Sequence, residues 1–294
     1  MWAYFFERET VMDKEKLQRI IEFNKKNSKE ILSACSEFYN ELGRDSSFVI
    51  PDIQSVARTL FMQKGYKFMH IPFVETEIGA YQLKLNKKKY LVINTSKHLA
   101  NNNFAVAHEI YHLLIQQHNE GDGEEVYLDT YDDNEDEQMA NAFAGNILMP
   151  QSDFMLTYGM FSKNIQGIIP EGTKFEREIM LVLGLMGYYK TTYMSVVVRC
   201  FELGVFDIGN DELVEYMLEK NDEETLTKVF EELSKIMGAK SIMQPTYEDD
   251  YSILVAEVKE QYDYNYKHGL ITKEDYDQRL AGMENAYQKV KRED

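Results

Sequence analysis

Cysteine is nearly missing from this chain: Cys35 and Cys200 are the only two in 294 residues. Two thiols so far apart in sequence make neither a disulfide framework nor a zinc-thiolate cluster, which excludes a small stapled secreted domain and points to a reducing cytosol. Basic residues are also short. There are 32 Lys and Arg against 50 Asp and Glu, a formal net charge of -18. Phosphate backbones need cationic side chains to displace their counterions, so direct nucleic-acid binding is not expected, whereas a basic protein partner is attracted. Long hydrophobic runs are absent as well. The longest, Ile179 to Tyr189, is too short to cross a bilayer and stops at Lys190, and the N-terminus has no basic region followed by an apolar one, as a signal peptide would. A cytoplasmic protein with no membrane partner is the expectation. What the chain does have is 44% hydrophobic and 13% aromatic residues, enough to build a core.

The stretch Ala105-Val106-Ala107-His108-Glu109-Ile110-Tyr111-His112-Leu113-Leu114 stands out. Residues four apart lie on one helix face, so His108 and His112 can offer two imidazole nitrogens to a single ion. Glu109 is then placed to act on a metal-bound water as a general base without being a ligand. Apolar residues surround these groups, which reads as a helix buried in a core, where unpaired polar groups are costly and an ion would satisfy them.

Two ligands need a third, and two residues are available. His118 has the spacing of the longer metzincin pattern, but that pattern turns on a glycine where this chain has Ile115, and a β-branched residue strains such a turn. Glu137 lies in a second helical segment, Asp136 to Leu148, with Asn141 one turn further on the same face and able to accept a hydrogen bond from a ligand histidine. Glu137 is the preferred third ligand and His118 the alternative.

His108-Glu109-Ile110-Tyr111-His112, followed by Glu137, Ala140-Asn141, Phe143-Ala144 and Ile147-Leu148-Met149-Pro150, resembles the ImmA/IrrE family of metallopeptidases, over about residues 53–206. The resemblance implies a zincin-like fold, a zinc ion on His108, His112 and Glu137, and Glu109 as catalytic base. It also implies a specific protease that removes a DNA-binding transcriptional repressor of a mobile element or stress regulon. Two departures are Gly145, where the family more often has alanine, and a long acidic insert before Glu137.

Along the chain, residues 12–43 read as one or two helices, and Pro51 opens another that runs to about Gln63. Tyr66 to Ile71, Ala80 to Leu85 and Tyr90 to Asn94 read as strands of a small antiparallel or mixed sheet. His70 and His98, on this sheet and the loop after it, read as structural or exposed. Glu120 to Glu137 holds ten acidic residues and two glycines and reads as a loop, either a solvated connection or a selector for a basic substrate. Pro150 reads as the end of the ligand helix, followed by helices at 175–186 and 192–203. Charged amphipathic helices are expected at 211–220, 222–237, 251–266 and 273–290, the last opened by Thr272 and Asp275, with a linker around Pro245. Their expected use is docking a partner, covering the catalytic unit or simple stabilisation.

The expected fold is α+β: a mainly helical zincin-like domain at 46–207, a helical N-terminal extension at 1–45 and a helical C-terminal region at 208–294. The expected function is zinc-dependent hydrolysis of a peptide bond in a protein substrate, with Tyr81, Tyr127 or Tyr131 as oxyanion donor. One alternative is a non-proteolytic regulator that sequesters a transcription factor and uses its metal structurally. Another is a hydrolase of small peptides.

Overall fold

The computed structural model describes residues 12–291 apart from 47, 74–78, 86–87, 116–124, 129–133, 169–170 and 238–240. Helices dominate and a small mixed sheet accompanies them, so the fold is α+β as expected. Two compact units interleave along the chain. One holds the described residues of Met1–Ala57, Leu99–Gly121 and Thr130–Gln244; the other holds those of Arg58–His98, Asp122–Asp129 and Pro245–Asp294.

The first unit is helical. Its N-terminal pair is α1 (Lys14–Lys26) and α2 (Ser28–Glu41), two helices divided at Asn27. Asp13 starts α1 by accepting from the Lys16 amide, and the buried faces carry Leu17, Ile31, Phe38 and Tyr39. Helix α3 (Ile53–Gln63) follows and passes into the other unit at Arg58. The two central helices are α4 (Leu99–Leu114) and α5 (Glu135–Leu148), packed on each other, with Phe143 of α5 edge-on to Phe38 at 5.9 Å. Around them stand α6 (Gln151–Ile168), α7 (Lys174–Tyr189), α8 (Tyr193–Glu202), α9 (Asp211–Glu219) and α10 (Glu223–Met237).

Helix α6 was not foreseen from the sequence. Pro150 does not merely stop α5; its carbonyl accepts from the Phe154 amide at 2.8 Å and so starts the next helix. Periodicity failed there because Met155, Leu156 and Met160 are exposed, which leaves apolar residues on all sides of α6.

The second unit is built on a four-stranded sheet of order β1-β3-β2-β4, with β1 at Tyr66–Ile71, β2 at Ala80–Leu85, β3 at Lys88–Asn94 and β4 at Glu125–Leu128. Strand β1 runs parallel to β3, setting Met69 opposite Val92, while β2 is antiparallel to both β3 and β4. Strand β4 corrects the reading of 120–137 as a loop throughout. Four residues amid acidic neighbours carry no strand signal of their own, and pairing with β2 supplies their backbone partners. The rest of the acidic insert, 120–124 and 129–133, lies outside the described residues.

One face of the sheet carries Met69, Ile71, Tyr90 and Val92, and Tyr287, Tyr251 and Leu254 pack onto it from α11 (Tyr251–Lys267) and α12 (Lys273–Val290). Thr272 and Asp275 form the expected capping box at the start of α12. A strap at 245–250 runs from the helical unit toward α11. Tyr247 donates its amide to the Thr95 carbonyl at 3.1 Å, and His70 and Asp250 exchange bonds through the His70 amide and carbonyl, both 2.8 Å.

Candidate metal centre

Helix α4 is buried along most of its length, with Val106, Ala107 and Ile110 fully enclosed, and apolar packing rather than surface charge holds it. Its first amides find backbone partners: Leu99 donates to the Gln244 carbonyl and Ala100 to that of Ile242. Asn103 anchors its middle, donating to the Lys190 carbonyl at 2.8 Å and accepting from the Gln54 side chain at 3.1 Å. These supports were missed in the sequence, although the run Asn101-Asn102-Asn103 in an apolar helix was a signal, since buried amides need partners.

The four-residue spacing brings His108 and His112 together, with their Nε2 atoms 2.9 Å apart and both rings buried. Glu137 reaches them from the first turn of α5, its carboxylate 3.0 Å from His108 Nε2 and 3.6 Å from His112 Nε2. Asn134 caps that turn by accepting from the Asp136 amide, and the helix N-terminus favours the negative charge of Glu137. Asn141, one turn further along, lies with its Oδ1 at 2.9 Å from His108 Nδ1. The amide oxygen therefore accepts the Nδ1 proton, which turns Nε2 of His108 toward His112 and Glu137.

The fit to a metal can be judged from this donor set. One nitrogen or oxygen atom from each of His108, His112 and Glu137 lies within 4.8 Å of the other two, and this is the sole such group among the described residues. Two imidazole nitrogens at 2.9 Å need a proton or a cation between them. Ligands at ~2.0–2.1 Å around tetrahedral zinc stand about 3.3 Å apart, within the range of the three separations here. The residues present therefore suit a divalent ion bound by two nitrogens and one carboxylate.

Glu109, also buried, lies close enough for its charge to act on His112. Burial pulls the His112 imidazole down and the His108 ring opposes its protonation as well. The bond to Glu137 and the charges of Glu109 and Glu137 outweigh both, so its pKa stands above the ordinary histidine value.

The other residues considered in the sequence lie elsewhere. His118 and Tyr131 fall outside the described residues, and Tyr127 lies on β4. Tyr81 packs against the sheet cluster beside Phe73, and burial pushes its phenol up to about 12. His70 sits 3.2 Å from Glu248 and 3.5 Å from Asp250, and His98 forms a backbone bridge with Pro245.

A comparison with curated proteins returned no match. Residues 61–161, from the end of α3 into α6, match the family model described as the IrrE N-terminal-like domain, Peptidase_M78. The matched stretch, about a third of the chain, holds all three converging donors together with Glu109 and Asn141, and over it the chain is similar to the ImmA/IrrE metallopeptidases.

Proposed function

We propose that this chain is a zinc-dependent endopeptidase that cuts one specific protein, a DNA-binding transcriptional repressor of a mobile element or stress regulon. The observation that carries the chemistry is the convergence of His108, His112 and Glu137 beside Glu109. These three residues would hold the ion, which when bound supplies a Lewis acid and makes a coordinated water acidic enough to ionise near neutral pH.

The remaining work falls to the chain's own side chains. Glu109 takes the proton from the attacking water and returns it to the departing amine. Asn141 fixes the tautomer and angle of His108. Burial of both imidazoles keeps bulk water from competing for their lone pairs. Among the described residues three protein donors converge rather than four, which suits a catalytic site better than a closed structural one and favours hydrolysis over sequestration.

The substrate class follows from charge and from the family resemblance. A surface of net charge -18 attracts a basic DNA-binding protein. A reducing cytosol is the proposed compartment because Cys35 and Cys200 are both free and buried. Among the described residues no helix is long and apolar enough to cross a membrane.

The test is to load the purified chain with zinc and incubate it with repressors encoded near its gene. Defined fragments are expected from the parent chain. Glu109→Gln should keep the metal and lose at least about 10²-fold in cleavage rate, whereas Glu137→Gln should lose the metal itself. Fragments that persist undiminished with Glu109→Gln would sink the proposed chemistry, and indiscriminate cleavage of unfolded peptides would replace the specific substrate by a general one.

A further inference from the structure

Helices α6 and α7 form a hairpin whose outer surface carries an apolar stripe among polar side chains. Leu156 and Met160, four apart on α6, are 75% and 52% exposed; Met180 and Tyr188, eight apart on α7, are 39% and 46% exposed. Between the latter two lies Gly184, where an added Cβ would stand 3.0 Å from the Phe161 ring. That glycine lets α6 settle close against α7, and Phe161 meets Tyr188 edge-on at 6.1 Å, so the two stripes join into one surface. Asp153 and Thr157, on the side of α6 next to Leu156 and Met160, face Tyr189 of α7, which places those two apolar residues beside the α7 stripe.

Charge sets this hairpin apart from the rest of the chain. Residues 151–190 carry four acidic side chains (Asp153, Glu171, Glu176, Glu178) and four basic ones (Lys163, Lys174, Arg177, Lys190), a net of zero in a chain of net -18. Two copies approaching through most other surfaces meet like charge. Through this face they meet none in excess. The four exposed side chains offer an apolar area on the order of 400 Å², within the range of the largest patch on an ordinary monomer, which is often functional.

We propose that this face is where two copies of the chain associate, hairpin against hairpin, as a twofold four-helix contact. A twofold axis lets Leu156 and Met160 of one copy meet Met180 and Tyr188 of the other, with each apolar stripe used once. The apolar patch covers about half of the ~800 Å² per partner that a stable interface buries, so the dimer is expected to be of micromolar rather than nanomolar strength.

Sedimentation equilibrium of the full chain, from micromolar to near-millimolar concentration and at low and high salt, decides the matter. A monomer–dimer equilibrium is expected, tightened by salt because screening relieves repulsion between two acidic bodies. Leu156→Glu with Met160→Glu should weaken it at least about tenfold, as should Met180→Glu on the other helix, an independent test should the double variant fold poorly. Leu270→Glu, at an exposed apolar residue of the sheet unit, should leave it unchanged. A chain that stays monomeric throughout, a dimer that survives the α6 and α7 substitutions, or one broken by Leu270→Glu would each overturn the proposal.

Discussion

As the proposed metal ligand His108 would serve in one tautomer only, and Asn141 selects that tautomer by accepting the Nδ1 proton at 2.9 Å. Asn141→Leu should therefore lower zinc affinity about 10–100-fold without removing any of the three donors, as measured by competition with a chromophoric chelator. An unchanged affinity would mean that the packing of α4 alone orients the ring. Glu178 presents the opposite situation, a buried carboxylate that lacks adequate partners. It is 8% exposed, its Oε2 has no hydrogen-bond partner, and Lys174 reaches only to 3.8 Å of the other oxygen. Burial raises its pKa above the ordinary glutamate value of about 4.5, with Lys174 pulling the other way. The folded chain thus holds this proton more tightly than the unfolded chain, so stability declines as pH rises from that value through the folded pKa. Glu178→Gln should stabilise the protein by about 1–2 kcal/mol in urea denaturation at neutral pH, and the gain should vanish below the ordinary value. A gain that is the same at both pH values would show that ionisation is not the cause.

At the scale of elements, α5 carries Glu137, the proposed third ligand, at its first turn and is held at its far end by buried polar groups. The Arg199 guanidinium donates to the Met149 carbonyl at 3.1 Å, and the Tyr39 hydroxyl donates to that of Ile147 at 3.3 Å. Its weak point is Gly145, a glycine in the last turn with nothing within 4 Å of where a Cβ would stand. Gly145→Ala should raise stability by about 0.5–1 kcal/mol and leave metal binding intact, as read by thermal unfolding with and without zinc. A destabilised variant would reveal a contact that the backbone geometry does not show. The two unforeseen elements, α6 and β4, share a cause. Neither shows its period locally, since α6 has apolar residues on its outer face and β4 is a short segment whose hydrogen bonds come from β2.

For the molecule as a whole, the C-terminal residues are divided between the two units. Ile242 and Gln244 accept from the first amides of α4, whereas α11 and α12 place Tyr251, Leu254 and Tyr287 on the sheet. Of the uses expected for these helices, stabilisation is the one that their packing displays. Ending the chain after Gln244 should uncover Met69, Ile71, Tyr90 and Val92 and yield a protein that binds a hydrophobic dye and aggregates. A soluble, dye-silent product would mean that the sheet closes without them.

The amino-acid sequence by itself determined that His108 and His112 share one face of a buried helix with Glu109 beside them, because that spacing is a local property of 3.6 residues per turn. It also foreshadowed Glu137 and Asn141, since both lie on one face of a second helix. Only the tertiary structure decided that Glu137 comes within 3.0–3.6 Å of both imidazoles, which residues support α4 from behind, and that the sheet is mixed. Those are contacts between segments remote in the chain, and no periodicity within either segment encodes which partner it will meet.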